Sequence, residues 1–147
     1  MNIILSIYKS IVKSVPDVPP EIGGILGGND NIIRYVKFDK GLYDPKKKHC
    51  AYIPDVKKLN EYIEEWENNY IDFYGIFHTH FYGIETLSSG DKNYIKKIMD
   101  TLPLEVNELY FPVVVLPERK IKGYIAYRKG TQIHIMDEKL IIVNEVN

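Results

Sequence analysis

Cysteine is scarce in this sequence, and no apolar run is long. Cys50 is the only cysteine in the chain, so no disulfide can form within it, and we expect a protein of the reducing cytoplasm. No apolar stretch approaches the roughly 20 residues that a transmembrane helix needs, so we expect no membrane partner. Residues 2–12 carry apolar side chains at helical spacing, but Lys9 interrupts them. This pattern predicts an amphipathic helix rather than a secretory signal.

An excess of either charge is also missing. The chain has 19 Lys and Arg residues against 20 Asp and Glu residues, which gives a net charge of −1. Because nucleic acids and anionic membranes are bound mainly through clustered positive charge, this balance favours neither partner. The 147 residues, of which 45% are apolar, are typical of one folded domain over 1–147 with one hydrophobic core. The composition leaves a homo-oligomer open.

The spacing of apolar residues predicts both strands and helices. Apolar runs bounded by turn residues predict strands, and apolar residues three or four positions apart predict helices. The predicted strands are 22–28, 32–38, 50–53, 71–80, 111–116, 121–127 and 132–136. The predicted helices are 2–12, 55–68 and 90–100, and the tail from 137 fits either type. This order predicts the α/β class, with a single mixed, largely antiparallel sheet flanked by helices.

A group of metal-binding residue types lies at the end of the predicted strand 71–80. His78 and His80 are two positions apart, so on a strand their side chains point to the same side. Asp91 lies in the first turn of the next predicted helix, which can fold back over the strand end. Two imidazoles and a carboxylate suit zinc, and three protein ligands leave the fourth position open for water. The sequence therefore predicts one catalytic Zn²⁺ per chain at this group.

Hydrolysis at such a site also needs a proton acceptor and a donor for the oxyanion. Glu21 precedes a glycine-rich strand and is a candidate general base, because a carboxylate can take a proton from water and pass it to a leaving amine. Ser88 lies three positions before Asp91 and can donate a hydrogen bond to the developing oxyanion. The predicted catalytic residues are therefore Glu21 and Ser88.

The spacing of these residues resembles the signature of a known family. His-x-His, seven residues, and then Ser-x-x-Asp, with a glutamate upstream, is similar to the pattern of the JAMM (MPN+) metalloproteases. The resemblance implies a cytidine-deaminase-like JAMM/MPN fold, a zinc cofactor, and cleavage of peptide or isopeptide bonds at the tails of ubiquitin-like proteins. Phe81 stands where many members have proline. The sequence has no long insertion, which resembles the compact prokaryotic members and implies a ubiquitin-like or sulfur-carrier protein as substrate.

Other readings of the same residues fit less well. A cupin barrel also uses His-x-His, followed four residues later by a glutamate, and Glu85 has that offset. Cupins are nearly all β, however, so the helical patterns at 55–68 and 90–100 argue against this alternative. A zinc nucleoside deaminase needs Cys-x-x-Cys, which one cysteine cannot supply. The glycine-rich segment 23–28 lacks the Lys-Ser or Lys-Thr of a phosphate loop.

A non-catalytic MPN-type interaction module is the remaining alternative. That interpretation predicts a damaged signature, whereas all five positions of the signature are intact here. For the catalytic alternative, a substrate tail would run extended along nearby sheet edges, because its backbone polar groups need partners once they leave water. The glycines near Glu21 favour a thin segment, so we expect small residues such as Gly-Gly beside the cleaved bond.

Overall fold

Three helices flank one curled sheet. The computed structural model describes residues 1–42 and 52–145. Within these ranges the helices are α1 (Leu5–Ser14), α2 (Val56–Asn68) and α3 (Ser89–Thr101). The strands are β1 (Asn2–Ile4), β2 (Gly23–Asn29), β3 (Ile32–Asp39), β4 (Asp72–His80), β5 (Glu108–Tyr110), β6 (Val113–Val115), β7 (Lys120–Lys122), β8 (Tyr124–Lys129), β9 (Gln132–Asp137) and β10 (Ile141–Val143).

The sheet is mixed, and the strands at its two edges, β9 and β10, follow each other in the sequence. Its main path runs β10-β1-β3-β2-β4-β5-β8-β9, and β6 pairs with both β4 and β7. Antiparallel pairs join β2 to β3 and β4, whereas β4 pairs in parallel with β5 and β6. Only residues 138–140 connect the edge strands β9 and β10, and such a link spans at most about 14 Å. The sheet therefore has to curl until its edges approach each other.

Two apolar clusters cover the two faces of the sheet. Neighbouring residues of a strand point to opposite faces, and accordingly Ile76 belongs to one cluster while Phe77 belongs to the other. Helices α2 and α3 pack on the first face through Trp66 and Met99, and α1 packs on the second through Ile11. Burial on both faces explains why β4 has the continuous apolar pattern of a central strand.

The N-terminal segment corrects one prediction. The apolar spacing predicts a helix over 2–12, whereas residues 2–4 form strand β1 and the helix α1 begins at Leu5. Strand β1 pairs in parallel with β10 on one side and β3 on the other. These two neighbours satisfy the backbone hydrogen bonds of residues 2–4, so tertiary pairing overrides the local helical pattern.

The C-terminal third also differs from the prediction in detail. The predicted strand 121–127 is divided at Gly123 into β7, which pairs with β6, and β8, which pairs with β5 and β9. Strand β5 lies before the predicted strand 111–116, which is shortened to β6. The tail from 137 is settled as a strand, β10.

The predicted strand 50–53 is only partly covered by the described residues. Residues 50 and 51 lie outside them, and Tyr52 and Ile53 belong to no strand. The predicted helix that follows is confirmed, since Asp55 caps α2 by accepting a hydrogen bond from the backbone N–H of Lys58 at 3.2 Å. None of the described helices has the length and apolarity that crossing a membrane requires.

Candidate metal centre

Strand β4 carries the two histidines at its C-terminal end. Its neighbours fix this end on both sides, because His78 is paired with Gly23 of β2 and with Val113 of β6. His78 is half-buried and His80 is buried. The alternation of strand side chains places both imidazoles on the same side of β4, as their spacing predicts.

Asp91 completes a compact group of three donors with His78 and His80. The Nε2 atoms of the two histidines are 2.9 Å apart. The Asp91 carboxylate lies 3.3 Å from His78 Nε2 through Oδ1 and 3.1 Å from His80 Nε2 through Oδ2. Tetrahedral zinc with ordinary bond lengths holds its ligand atoms about 3.3 Å apart. The three side chains therefore have the spacing and the chemistry to hold one zinc ion.

The hydrogen bonds of His80 orient its ring for this task. Its Nδ1 lies 3.1 Å from the carbonyl oxygen of Ile84, so the N–H on Nδ1 donates to that carbonyl. In the neutral ring, Nε2 then presents a lone pair to the carboxylate of Asp91, which is also an acceptor. Two facing acceptors need a cation between them, and metal-binding histidines are commonly oriented by such a backbone carbonyl.

The pKa shifts of His80 and Asp91 also indicate that this group of side chains favours an added positive charge. Burial opposes ionisation of His80, but the hydrogen bond and the charge of Asp91 outweigh it and raise the pKa of His80 above its usual value. Burial also opposes ionisation of Asp91, but hydrogen bonds from His78 and His80 hold the pKa of Asp91 well below its usual range. The group thus stabilises added positive charge, which a proton or a metal ion can supply.

A capping box at the start of α3 positions Asp91. The backbone N–H of Asp91 donates to Ser88 Oγ at 3.0 Å, and the backbone N–H of Ser88 donates to Asp91 Oδ2 at 2.9 Å. These reciprocal bonds satisfy two amide groups at the helix N-terminus and hold the carboxylate towards the histidines. The cap uses a lone pair of the Ser88 hydroxyl, so its O–H remains able to donate to another group.

Glu21 is brought to the same end of β4 by the segment that leads into β2. The backbone N–H of Ile22 donates to Thr79 Oγ1 at 3.0 Å, and the N–H of Thr79 donates to the Ile22 carbonyl at 2.9 Å. Thr79 lies between the two histidines, so this pairing places Glu21 beside them. Burial raises the pKa of Glu21, although the charges of His78 and His80 partly offset the rise.

Solved structures share this fold. The solution structure of protein DSY2949 from Desulfitobacterium hafniense matches with a TM-score of 0.68 and 19% identity, over 99% of this chain and 94% of that chain. The JAB1/MPN domain protein AF2198 from Archaeoglobus fulgidus matches with a TM-score of 0.58 and 18% identity, over 98% of this chain and 100% of that chain. The chain has a JAB1/MPN-type fold. No family model and no curated protein matches the sequence, so the likeness is one of fold.

The MPN-type fold confirms the predicted class and brings the signature residues together. The α/β sheet flanked by helices agrees with the prediction, and His78, His80 and Asp91 form a group that could hold a metal ion. Glu21 and Ser88 lie at the same place, so all five signature residues meet at one end of β4.

A cavity of about 450 Å³ opens beside His78. His78, Ser88 and Asp91 form its polar edge. The rest of its lining is mostly apolar or aromatic and consists of Tyr52, Ile53, Pro54, Val56, Ile76, Gly90, Tyr94, Ile95 and Phe111. An apolar cavity with a few convergent polar groups is the usual form of a ligand site.

Sequence reasoning missed several residues of this site. Tyr52 and Tyr94 line the cavity, but they carry no signal that separates them from the other ten tyrosines. The Ile84 carbonyl that orients His80 is a backbone group, which no residue type encodes. Asp39 is buried and bonded to Tyr52, yet in the sequence it stands among charged residues that are typical of an exposed turn.

Proposed function

We propose that the protein is a zinc metallopeptidase of the JAMM type, which hydrolyses peptide or isopeptide bonds at the C-terminal tail of a ubiquitin-like or sulfur-carrier protein. One observation carries the proposal: three zinc-compatible ligands and a second carboxylate, Glu21, converge at one end of β4 in an MPN-type fold. Metal-ligating and proton-accepting side chains that converge beside an apolar cavity are the features expected of an active site.

The metal ligands are His78, His80 and Asp91, which have the spacing described above. A zinc ion held by them would supply Lewis acidity, which would lower the pKa of a water to about 7 and polarise an amide carbonyl. The Asp91 capping box and the Ile84 carbonyl hold two of these ligands, Asp91 and His80, in place. Such preorganisation lowers the cost of metal binding.

Glu21 acts as the general base. Its carboxylate lies near the histidines without being one of the three closely spaced donors, so it is available for proton transfer. Burial raises the pKa of Glu21 towards the range in which a carboxylate both accepts a proton from water and returns it to a leaving amine. Ser88 holds its hydroxyl beside Asp91, from where the O–H donates to the developing oxyanion.

The substrate is an extended tail rather than a folded surface. The cavity offers apolar walls next to His78 and Ser88, which suits a side chain near the cleaved bond. Main-chain hydrogen bonds to exposed backbone supply affinity for an extended segment, and pockets supply selectivity. We propose that small residues such as Gly-Gly stand directly before the cleaved amide.

The test compares fusion proteins that carry different tails. We expect the purified protein to contain about one zinc per chain and to cleave a Gly-Gly tail, and a chelator should abolish cleavage. Glu21→Gln should retain zinc and lose at least ~10²-fold in kcat. Glu64→Gln is the matched control, because Glu64 is exposed on α2.

Three outcomes would count against this proposal. Equal, chelator-insensitive cleavage of Gly-Gly tails and tails with bulky residues would exclude a metal-dependent, tail-selective peptidase. Loss of zinc from Glu21→Gln would make Glu21 a ligand and remove it as the base. Stoichiometric zinc without cleavage of any tail would favour the metal-bearing interaction module instead.

A further inference from the structure

A buried carboxylate, Asp39, has no part in the mechanism described so far. It ends β3, opposite Gly23 of β2, and only 2% of its surface is exposed. Its Oδ1 accepts from the backbone N–H of Gly41 at 2.9 Å. Its Oδ2 accepts from the Tyr52 hydroxyl at 2.7 Å and from the N–H of Asp55 at 3.0 Å. Three hydrogen-bond donors compensate the cost of burying this carboxylate, so its surroundings are arranged to hold a carboxylate at this position.

Tyr52 connects this carboxylate to the candidate active site. Its ring packs on Gly23, where a Cβ would come 2.5 Å from the ring atom Cε2. Burial, and then the bond to Asp39, raise the pKa of Tyr52, so the hydroxyl keeps its proton and donates. At its other end, the backbone N–H of Tyr52 faces the carboxylate of Glu21 and partly offsets the rise that burial causes in the pKa of Glu21. One residue therefore bonds to Asp39 and faces Glu21.

We propose that Asp39 and Tyr52 form a clamp that positions Glu21. Asp39 holds the tyrosine by its hydroxyl, the absence of a side chain at Gly23 lets the ring lie against β2, and the tyrosine N–H then fixes the Glu21 carboxylate. A second contact supports the segment, because the N–H of Leu42 donates to the Ile53 carbonyl at 2.8 Å. The catalytic consequence of the clamp rests on the proposed function.

The clamp makes Asp39 and Tyr52 positioning residues, because Asp39 acts through Tyr52 and neither is among the metal ligands. A general base must lie within hydrogen-bond reach of the proton that it takes, so a small displacement of Glu21 lowers kcat. Two of the three zinc ligands, His80 and Asp91, are held by other contacts, from Ile84 and Ser88, so we expect zinc binding to persist when the clamp is opened.

Tyr52→Phe tests the clamp with the least disturbance. It keeps the ring on Gly23 and removes only the hydroxyl that bonds to Asp39. Tyr74→Phe is the matched control, because the Tyr74 hydroxyl accepts from the Asn31 N–H at 3.1 Å, away from the clamp and the cavity. The first measurement is amide hydrogen exchange of the zinc-free protein by NMR, which does not depend on catalysis.

We expect exchange at position 52 to become at least tenfold faster in Tyr52→Phe, while exchange of the core amides of β2 and β4 stays unchanged. In Tyr74→Phe, exchange at position 52 should stay at the wild-type rate. Glu21→Ala should also accelerate exchange at position 52, because it removes the acceptor of that N–H. The double variant should exchange no faster than the faster single variant, since both changes break one connected unit.

The second measurement is turnover with the zinc-loaded protein. Tyr52→Phe should lower kcat at least tenfold, with KM and zinc content within twofold of the wild-type values. Unchanged exchange at position 52 would overturn the clamp, and accelerated exchange with unchanged kcat would overturn its positioning role. If the wild-type protein cleaves no tail, the exchange data still decide whether the clamp holds Glu21, so that result is separate from failure of the proposed function.

Discussion

Ser88 combines a structural role with a proposed catalytic one, and three substitutions separate them. Its hydroxyl oxygen accepts from the Asp91 N–H at 3.0 Å and so caps α3. Replacing a serine cap by alanine lowers the free energy of unfolding by about 1 kcal/mol, whereas replacing it by glycine lowers it by only a few tenths of 1 kcal/mol. For a domain of this size, about 1 kcal/mol lowers Tm by about 4 °C. Threonine retains the cap and should leave Tm near the wild-type value.

The order of activity should differ from the order of stability. If the Ser88 O–H donates to the oxyanion, Ser88→Ala and Ser88→Gly both lose about 10²-fold in kcat, which corresponds to about 2.7 kcal/mol. Ser88→Thr retains a hydroxyl and should keep most of the activity. The loss should appear in kcat more than in KM, because an oxyanion donor acts mainly in the transition state.

The assay pairs thermal unfolding of the zinc-free variants with steady-state kinetics of the zinc-loaded ones. Unfolding is measured without zinc because a bound ion adds its own stabilisation. Near-wild-type kcat in Ser88→Gly would refute the catalytic role, since activity would then follow the cap alone. A loss in Ser89→Ala without one in Ser88→Ala would mean that the register of the signature is wrong.

The remaining predictions concern the metal, the cavity and the hydrogen bond between Ile22, just before β2, and Thr79. Elemental analysis should show sharply reduced zinc in His78→Ala. The zinc affinity of the wild-type protein should weaken as the pH falls below about 7, because protons compete with zinc for the imidazoles. Equal zinc affinity at high and low pH would contradict the proposed ligands. Gly90→Phe should raise KM at least tenfold, because the new ring enters the cavity. Its Tm should not fall, since a Cβ at this position lies 3.7 Å from the Ser88 hydroxyl, which is an ordinary contact. An unaltered KM would show that the substrate does not use the cavity. Thr79→Val should lower the free energy of unfolding in urea by about 1–3 kcal/mol, since it leaves the buried N–H of Ile22 without its acceptor. A smaller loss would mean that another group replaces the threonine hydroxyl.

Local rules in the sequence were enough for the core of the candidate site. The two-residue period of a strand puts His78 and His80 on one side, and the Ser-x-x-Asp spacing of a capping box puts Asp91 in the first turn of α3. The helices predicted at 55–68 and 90–100 agree with α2 and α3 to within about a residue at each end. Each of these features depends on bond geometry within one short segment, which the order of residues records directly.

Features that join distant segments were decided only by the tertiary structure. Helical spacing misassigned residues 2–4, because their pairing with β3 and β10 depends on the order of strands in the sheet. Ile22 and Thr79 are 57 positions apart, and their hydrogen bond is what brings Glu21 to the histidines. The contacts of Asp39 likewise arise only when β3 ends beside the segment that begins α2. Burial and long-range hydrogen bonding are properties of the assembled sheet, so no local period or spacing could have located them.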